Sequence, residues 1–445
     1  MLVDVDRIVT GGRVLTMDGR GTVIQDGAVA VHGTDIVAVG ERKEVESRFR
    51  GREVIGADRC LVMPGLINCH THAAMTCFRG IADDLSLMDW LNNYIFPAEA
   101  KNVDRELAYW GSLLACAEMI KSGTTTFCDM YIFEDETAMA ARKAGMRCLL
   151  GEVLFDFPSP NFKTPKEGLE YTAKLIEKWA DDPLVRIFVE PHAIYTCSPE
   201  LLRESKSLAD RYAVPCGMHF LETQSELEGL KEKFGKKPIR LLEETGLLDE
   251  RFIAFHGVWM DDEDMAAFAR KNGKVVHNPE SNMKLASGVA PVPDMITAGV
   301  TVGLGTDGCA SNNNLDMFQE MDTAAKLHKV HRLDPTVMNA ETVVEMATCR
   351  GAKVLGMEKI VGSLRPGLKA DITILNLNKP HLTPIYHEYS HAVYAATGAD
   401  VETVLINGNV VMRDRRLLTI DEEAVMARVR EIAQRIRKSL NLPPE

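Results

Sequence analysis

Through most of this chain, short apolar runs alternate with longer stretches of helical spacing. The apolar runs cover residues 61–72, 124–130, 146–154, 185–192, 216–221, 252–258, 274–277 and 301–307. Between several of them, residues 106–121, 165–180 and 199–212 repeat apolar positions every three to four residues, which predicts amphipathic helices. Eight strands alternating with helices predict an α/β protein, and favour a (β/α)8 TIM-like barrel over a doubly wound sheet. The alternation favours the barrel only slightly. The polar residues at the strand ends carry the argument further.

The two ends of the chain have a different rhythm. In residues 1–60 the strands are short and the breaks tight: Arg7-Ile8-Val9-Thr10 runs into Gly11-Gly12, and Arg13-Val14-Leu15-Thr16-Met17 into Asp18-Gly19. Such punctuation predicts a small antiparallel β unit. Strands return after residue 356, where Val401-Glu402-Thr403-Val404-Leu405-Ile406 precedes Asn407-Gly408, a strong hairpin signal. The two ends are therefore expected to form one small β-sandwich domain, from residues 1–60 and 357–445, interrupted by a barrel over 61–356. Residues 421–440, charged and of helical spacing, predict a surface helix.

Composition narrows the function classes. With 445 residues, 46% of them hydrophobic, the chain can bury a large core. A net charge of −13 and a pI of about 5.5 argue against binding nucleic-acid backbones or anionic lipid surfaces, which need basic patches. No apolar run approaches the ~18 residues of a membrane span, and Met1-Leu2-Val3-Asp4-Val5-Asp6 lacks signal-peptide character. The 10 cysteines are scattered singly, without a C-x-x-C pair, and predict free thiols in a reducing cytoplasm.

Active sites of barrel enzymes lie at the C-terminal ends of the strands. Here His70 and His72 end the first run, His192 the fourth, and His219 the fifth, with Glu222 three residues on. His256 ends the sixth, His277 the seventh and Asp307 the eighth. One such histidine is unremarkable in a core. Six strands ending this way are hard to explain by packing, because buried polar groups without partners are costly. His70 and His72, two apart on a strand, project from one face. With His219 and Asp307 they offer three imidazoles and a carboxylate, a donor set suited to one divalent metal that acidifies its water. Zinc and ferrous iron both suit these donors, with Zn²⁺ the first expectation and Fe²⁺ the alternative. Glu222 is placed to carry protons and His256 to position or deprotonate the water. A bridged two-metal site would want a lysine at the end of the fourth strand, and Val189-Glu190-Pro191-His192 has none.

Several motifs then resemble a known family. They are Pro64-Gly65-Leu66-Ile67-Asn68-Cys69-His70-Thr71-His72, Gly80 through Trp90, Pro97-Ala98-Glu99, Ser122-Gly123-Thr124-Thr125-Thr126 and Pro191-His192. In register with these follow His219-Phe220-Leu221-Glu222-Thr223, His256-Gly257, His277-Asn278-Pro279, Ser281-Asn282-Met283-Lys284-Leu285 and Gly305-Thr306-Asp307-Gly308 with Ser311-Asn312-Asn313. Together they resemble the amidohydrolase superfamily, and within it the 5-methylthioadenosine/S-adenosylhomocysteine deaminases, across essentially the whole chain. The resemblance implies that His70, His72, His219 and Asp307 bind the metal. It implies that Glu222 protonates the purine N1 and later helps ammonia leave, and that His256 and Asp307 orient and deprotonate the attacking water. Glu222 and Asp307 would thus touch substrate as well. Glu99 would accept hydrogen bonds from the ribose hydroxyls and His192 would contact the purine. A homo-oligomer is a further implication.

The expected reaction is hydrolytic deamination of 5′-methylthioadenosine, adenosine, 5′-deoxyadenosine or S-adenosylhomocysteine to the inosine analogue. Triazine hydrolysis and guanine deamination are the alternatives on the same barrel, since those enzymes share much of the pattern. One departure bears on substrate. Relatives that accept S-adenosylhomocysteine can use arginines near the third strand, where Glu152 stands here, with Lys163 and Lys166 the nearest cations beyond it. Met88 and Trp90 are candidates to line a pocket for the 5′ group.

Overall fold

The computed structural model of the protein describes residues 2–442. Residue 1 and residues 443–445, the outer ends of the two expected terminal segments, lie outside the described residues. Among the described residues the chain forms a mixed α/β fold with three sheets.

The first sheet has nine strands and draws on both chain ends. Val3–Leu15, Val23–His32 and Asp35–Glu41 form an antiparallel meander. Phe49–Gly56 and Cys60–Pro64 instead run parallel to Val3–Leu15, so the sheet is mixed where the sequence predicted an antiparallel unit. Cys60–Pro64 also pairs antiparallel with Ile372–Asn376, which leads on to Val401–Ile406, Asn409–Arg413 and Arg416–Leu417. The hairpin at Asn407-Gly408 forms as expected, with φ of +50° and +77°, the left-handed pair that suits the twist of the flanking strands.

The apolar run at 61–72 is therefore two strands rather than one. Cys60–Pro64 belongs to the mixed sheet, the chain turns at Gly65, and Leu66–Thr71 opens the parallel region. An uninterrupted apolar run reads the same in either case. The break lies at Gly65, where a Cβ would come within 2.1 Å of the Thr125 side chain.

Two parallel sheets hold the remaining strands. Leu66–Thr71, Thr124–Tyr131 and Arg147–Leu154 lie side by side, and both Val185–Ile187 and Glu190–Pro191 pair with the last. The second sheet runs Cys216–Phe220, Phe252–His256, Lys274–His277, Thr301–Leu304. All eight predicted positions are strands, and the helices Arg105–Lys121, Pro165–Trp179 and Pro199–Tyr212 fall between them as the periodicity predicts. Parallel bridges Val189↔Cys216 and Ala193↔His219 join the sheets at one seam. At the other, the Asp307 amide donates to the His70 carbonyl at 2.9 Å, and Asn68 binds both the amide and the hydroxyl of Thr306. Ile67, Cys128, Leu149, Phe188, Ile253, Phe255 and Val276 share one buried cluster. All ten cysteines are free. Among the described residues, no helix is long and apolar enough to cross a membrane. The terminal helix, Glu422–Ser439, is capped by Asp421 and buries Val425, Val429, Ile432 and Ile436, so it is half core rather than wholly surface.

Candidate active site

Most of the imidazoles at the strand ends meet at or beneath the floor of one cavity. His70, His72 and His219 offer nitrogens that all lie within 4.8 Å of one another, and His70, His256 and Asp307 form a second such group sharing His70. Asp307 Oδ1 sits 3.3 Å from His70 Nε2 and 3.1 Å from His72 Nε2. Backbone carbonyls fix which nitrogen faces inward. His72 Nδ1 donates to the Met130 carbonyl at 2.5 Å and His219 Nδ1 to the His192 carbonyl at 3.0 Å, leaving both Nε2 atoms free to ligate. Neither ring nitrogen of the fully buried His70 has a hydrogen-bond partner.

Electrostatics suit a cation here. Burial pushes His70 down to about 3 and His219 well below its ordinary value, so both are neutral, as a metal ligand must be. Burial opposes ionisation of Asp307 too, but the His70 and His72 rings hold its carboxyl well below the usual range. Burial opposes protonation of His72, but the adjacent Asp307 carboxylate raises it to about 9, a proton that a bound metal would displace; buried imidazoles around one ionised carboxylate fit a divalent metal.

Two of the floor residues occupy strained backbone. His256 has φ +74° and Asp307 φ +63°, left-handed values that cost a non-glycine residue of order 1–3 kcal/mol each. Their side chains are held from one short helix, Pro279–Lys284. Ser281 Oγ donates to Asp307 Oδ2 at 2.7 Å, and Asn282 Oδ1 accepts from His256 Nδ1 at 2.9 Å. That bond turns His256 Nε2 toward the cavity, 3.8 Å from Glu222 Oε2. Glu222 is buried with Oε1 unpartnered, and burial raises its pKa, which favours the protonated acid. Its loop is pinned by Glu226, which accepts from the Leu221 and Glu222 amides.

The cavity, about 610 Å³ including its mouth, falls within the usual range of small-molecule sites. His72, His192, His219, Glu222, His256 and Asp307 line it, and so does Glu99, from the helix Phe96–Asn102. His192 packs its ring 4.7 Å from that of His219 and 4.9 Å from that of Phe155, with Nδ1 bonded to Thr196. Leu87, Trp90, Leu91, Ile95, Phe96 and Phe155 make the outer wall apolar, and among the described residues neither lysine nor arginine lines it.

Two sequence expectations are corrected. Glu152 does not face the cavity: it accepts from the Phe133 and Glu134 amides and from Asn161. Trp90 lines the cavity but Met88 does not, and Met88 is 42% exposed. His277 stands apart from the metal cluster, its Nε2 3.1 Å from His328 Nε2. Sequence reading also missed residues. Asn282 and Ser281 were visible only as a motif without a role. Tyr131 lies one residue past the predicted end of its strand, and its hydroxyl donates to Glu99 at 2.6 Å.

Comparison with known proteins agrees with this geometry. Residues 61–411 match the amidohydrolase family, and the chain belongs to it. It is 64% identical over 440 residues, 99% of each chain, to a protein of Syntrophus aciditrophicus named 5-methylthioadenosine/S-adenosylhomocysteine deaminase 1. It is 44% identical to the 5′-deoxyadenosine deaminase of Methanosarcina barkeri, over 98% of this chain and 99% of that one. Among solved structures, an adenosine deaminase from Xanthomonas campestris with bound zinc superposes with a TM-score of 0.97 at 36% identity, covering 98% of this chain and 100% of that one.

Proposed function

We propose that this protein is a metal-dependent aminohydrolase that converts adenosine-type nucleosides with an uncharged 5′ substituent to the inosine analogue and ammonia. One observation carries the reading: a single cavity holds the His–Asp cluster with Glu222 and His256 on its floor and a second buried carboxylate, Glu99, on its wall. The names of relatives at 64% and 44% identity support the same activity.

In this reading His70, His72, His219 and Asp307 hold the metal, zinc in preference to iron, and when bound it supplies the acidity that yields hydroxide from water near neutral pH. Glu222, whose protonated form burial favours, gives its proton to the purine N1 as the water oxygen adds to C6. His256 and Asp307 orient the water and take up the proton it loses. The Glu222 carboxylate left behind takes the proton of the new C6 hydroxyl and passes it to the exocyclic amine, the C6–N bond breaks as the C6 carbonyl forms, ammonia departs, and the proton held by His256 and Asp307 returns to Glu222. His192 packs against the purine and Glu99 accepts from the ribose hydroxyls. The apolar outer wall suits a methylthio or methyl group at 5′, and offers no cation to the carboxylate of S-adenosylhomocysteine.

Architecturally, the same reading takes the two parallel sheets as one closed eight-stranded barrel, supported by hydrogen bonds at both seams. It takes the mixed sheet as folded into a sandwich around Val14, Val29, Ile36, Val62, Ile372 and Leu405. Residues 1–60 and 357–445 make the small domain and 61–356 the barrel, with Cys60–Pro64 crossing the first boundary.

The test is ammonia release from adenosine, 5′-methylthioadenosine, 5′-deoxyadenosine, S-adenosylhomocysteine and guanine, with chloride release from a chlorotriazine. The first three should be turned over and S-adenosylhomocysteine poorly. Preference for guanine or the triazine would overturn the assignment.

A further inference from the structure

Glu99 is a buried carboxylate with its two oxygens in different circumstances. Oε1 accepts from the Tyr131 hydroxyl at 2.6 Å, both residues being buried. Oε2 has no hydrogen-bond partner among the described residues, yet it is not sealed from solvent. Tyr131 comes from the end of the strand Thr124–Tyr131, beside Met130, whose carbonyl anchors His72. The same strand end therefore holds a floor imidazole and a wall carboxylate.

We infer that Tyr131 is a positioning residue for sugar recognition, its hydroxyl locking the Glu99 carboxylate so that Oε2 alone is presented to the ribose diol. The inference rests on the reading of Glu99 as the ribose acceptor. A buried carboxylate without this bond turns freely about its terminal torsion, which is broad and nearly two-fold. It must then be ordered each time substrate binds. With the bond in place the acceptor is already aimed, and affinity is gained without new contact to substrate. One oxygen has lone pairs enough for both hydroxyls, so the diol is read as a unit from one side. Tyr131 itself need not touch the sugar.

The experiment compares wild type, Tyr131→Phe and Glu99→Ala on adenosine and on 2′,3′-dideoxyadenosine, with metal content and melting temperature measured for each. Loss of a buried hydrogen bond that leaves its partner unpaired predicts a KM for adenosine raised about tenfold in Tyr131→Phe, with kcat nearly unchanged. On the dideoxy substrate, which has no diol to read, Tyr131→Phe and wild type should coincide. A merely structural role for Tyr131 would affect both substrates alike, and that result overturns the inference. An unchanged KM on adenosine in Tyr131→Phe overturns it as well. If Glu99→Ala leaves the KM for adenosine unaltered, the ribose assignment of Glu99 itself fails, a distinct outcome. Should Tyr131→Phe not accumulate, Tyr131→Met removes the same hydroxyl and is scored the same way.

Discussion

The floor and the outer wall of the cavity are built on opposite plans. The floor residues sit at or just past the ends of parallel strands, and four of them have a second atom tied down: His72 by the Met130 carbonyl, His219 by the His192 carbonyl, His256 by Asn282 and Asp307 by Ser281. The wall comes mostly from one excursion of the chain, Leu87–Asp89, Trp90–Ile95 and Phe96–Asn102, whose middle turn is π-helical. Its side chains are apolar and touch by shape alone, apart from Glu99. Chemistry needs atoms fixed to within a fraction of an ångström, and strand ends bound to a buried sheet provide that. Accommodation of a variable 5′ group needs surface rather than bonds, and a helical segment with a widened turn supplies it.

This contrast can be broken from the floor outward. Stripping the metal with a chelator should abolish ammonia release, and adding back Zn²⁺ or Fe²⁺ should restore it; turnover by protein shown to be metal-free would remove the floor from the chemistry. Glu222→Gln should lower kcat by about a hundredfold to ten-thousandfold with metal content unchanged, and near-normal turnover would refute its role as proton carrier. Asn282→Leu removes the acceptor that orients His256 and should cost about tenfold to a hundredfold in kcat with KM little altered. If KM moved instead, the floor would not be separable from binding. On the wall, Phe155→Ala should raise KM for 5′-methylthioadenosine roughly three- to tenfold more than for adenosine, while kcat holds.

The smallest effect concerns stability. Burial pushes Glu99 up to about 7 in the folded protein, with the Tyr131 bond partly opposing it. An acid whose folded pKa lies above its unfolded value of 4.5 favours the native state below that value, and the contribution is lost as pH rises through 7. Glu99→Gln should therefore flatten the fall in melting temperature between pH 5 and 7, by about 2 °C relative to wild type. An unchanged slope would mean that Glu99 is more solvated than its burial indicates.

The same contrast explains what the sequence made legible. An apolar run ending in histidine or aspartate, repeated on six strands, has no comfortable structural explanation, so His70, His72, His219, His256 and Asp307 could be picked out from pattern alone. Nothing of the kind marks Leu87, Trp90, Leu91 or Phe155, whose composition is that of any core. Glu99 needed a family resemblance to be noticed, since a lone glutamate followed by Ala100 and Lys101 looks like a solvated loop charge. Asn282 and Tyr131 act on other side chains, and such pairings between distant segments leave no periodic trace. The mixed sheet was half legible for a similar reason. Its hairpins are local and announced by Asn-Gly and Asp-Gly, whereas the parallel pairing of Cys60–Pro64 with Val3–Leu15 is not.

That last strand has a consequence for how the protein is made. Cys60–Pro64 takes its antiparallel neighbour from Ile372–Asn376, and the strand that ends in His70 begins two residues later at Leu66. The histidine pair is thus tethered to a sheet that cannot be completed until the far end of the chain has been synthesised. Asp307, from the last parallel strand, also arrives late. Contacts so distant in sequence make folding slow, because a long loop must close before they stabilise anything. A ribosome-bound chain can hold its first two imidazoles long before it holds a site, and activity should emerge only with the nearly finished polypeptide.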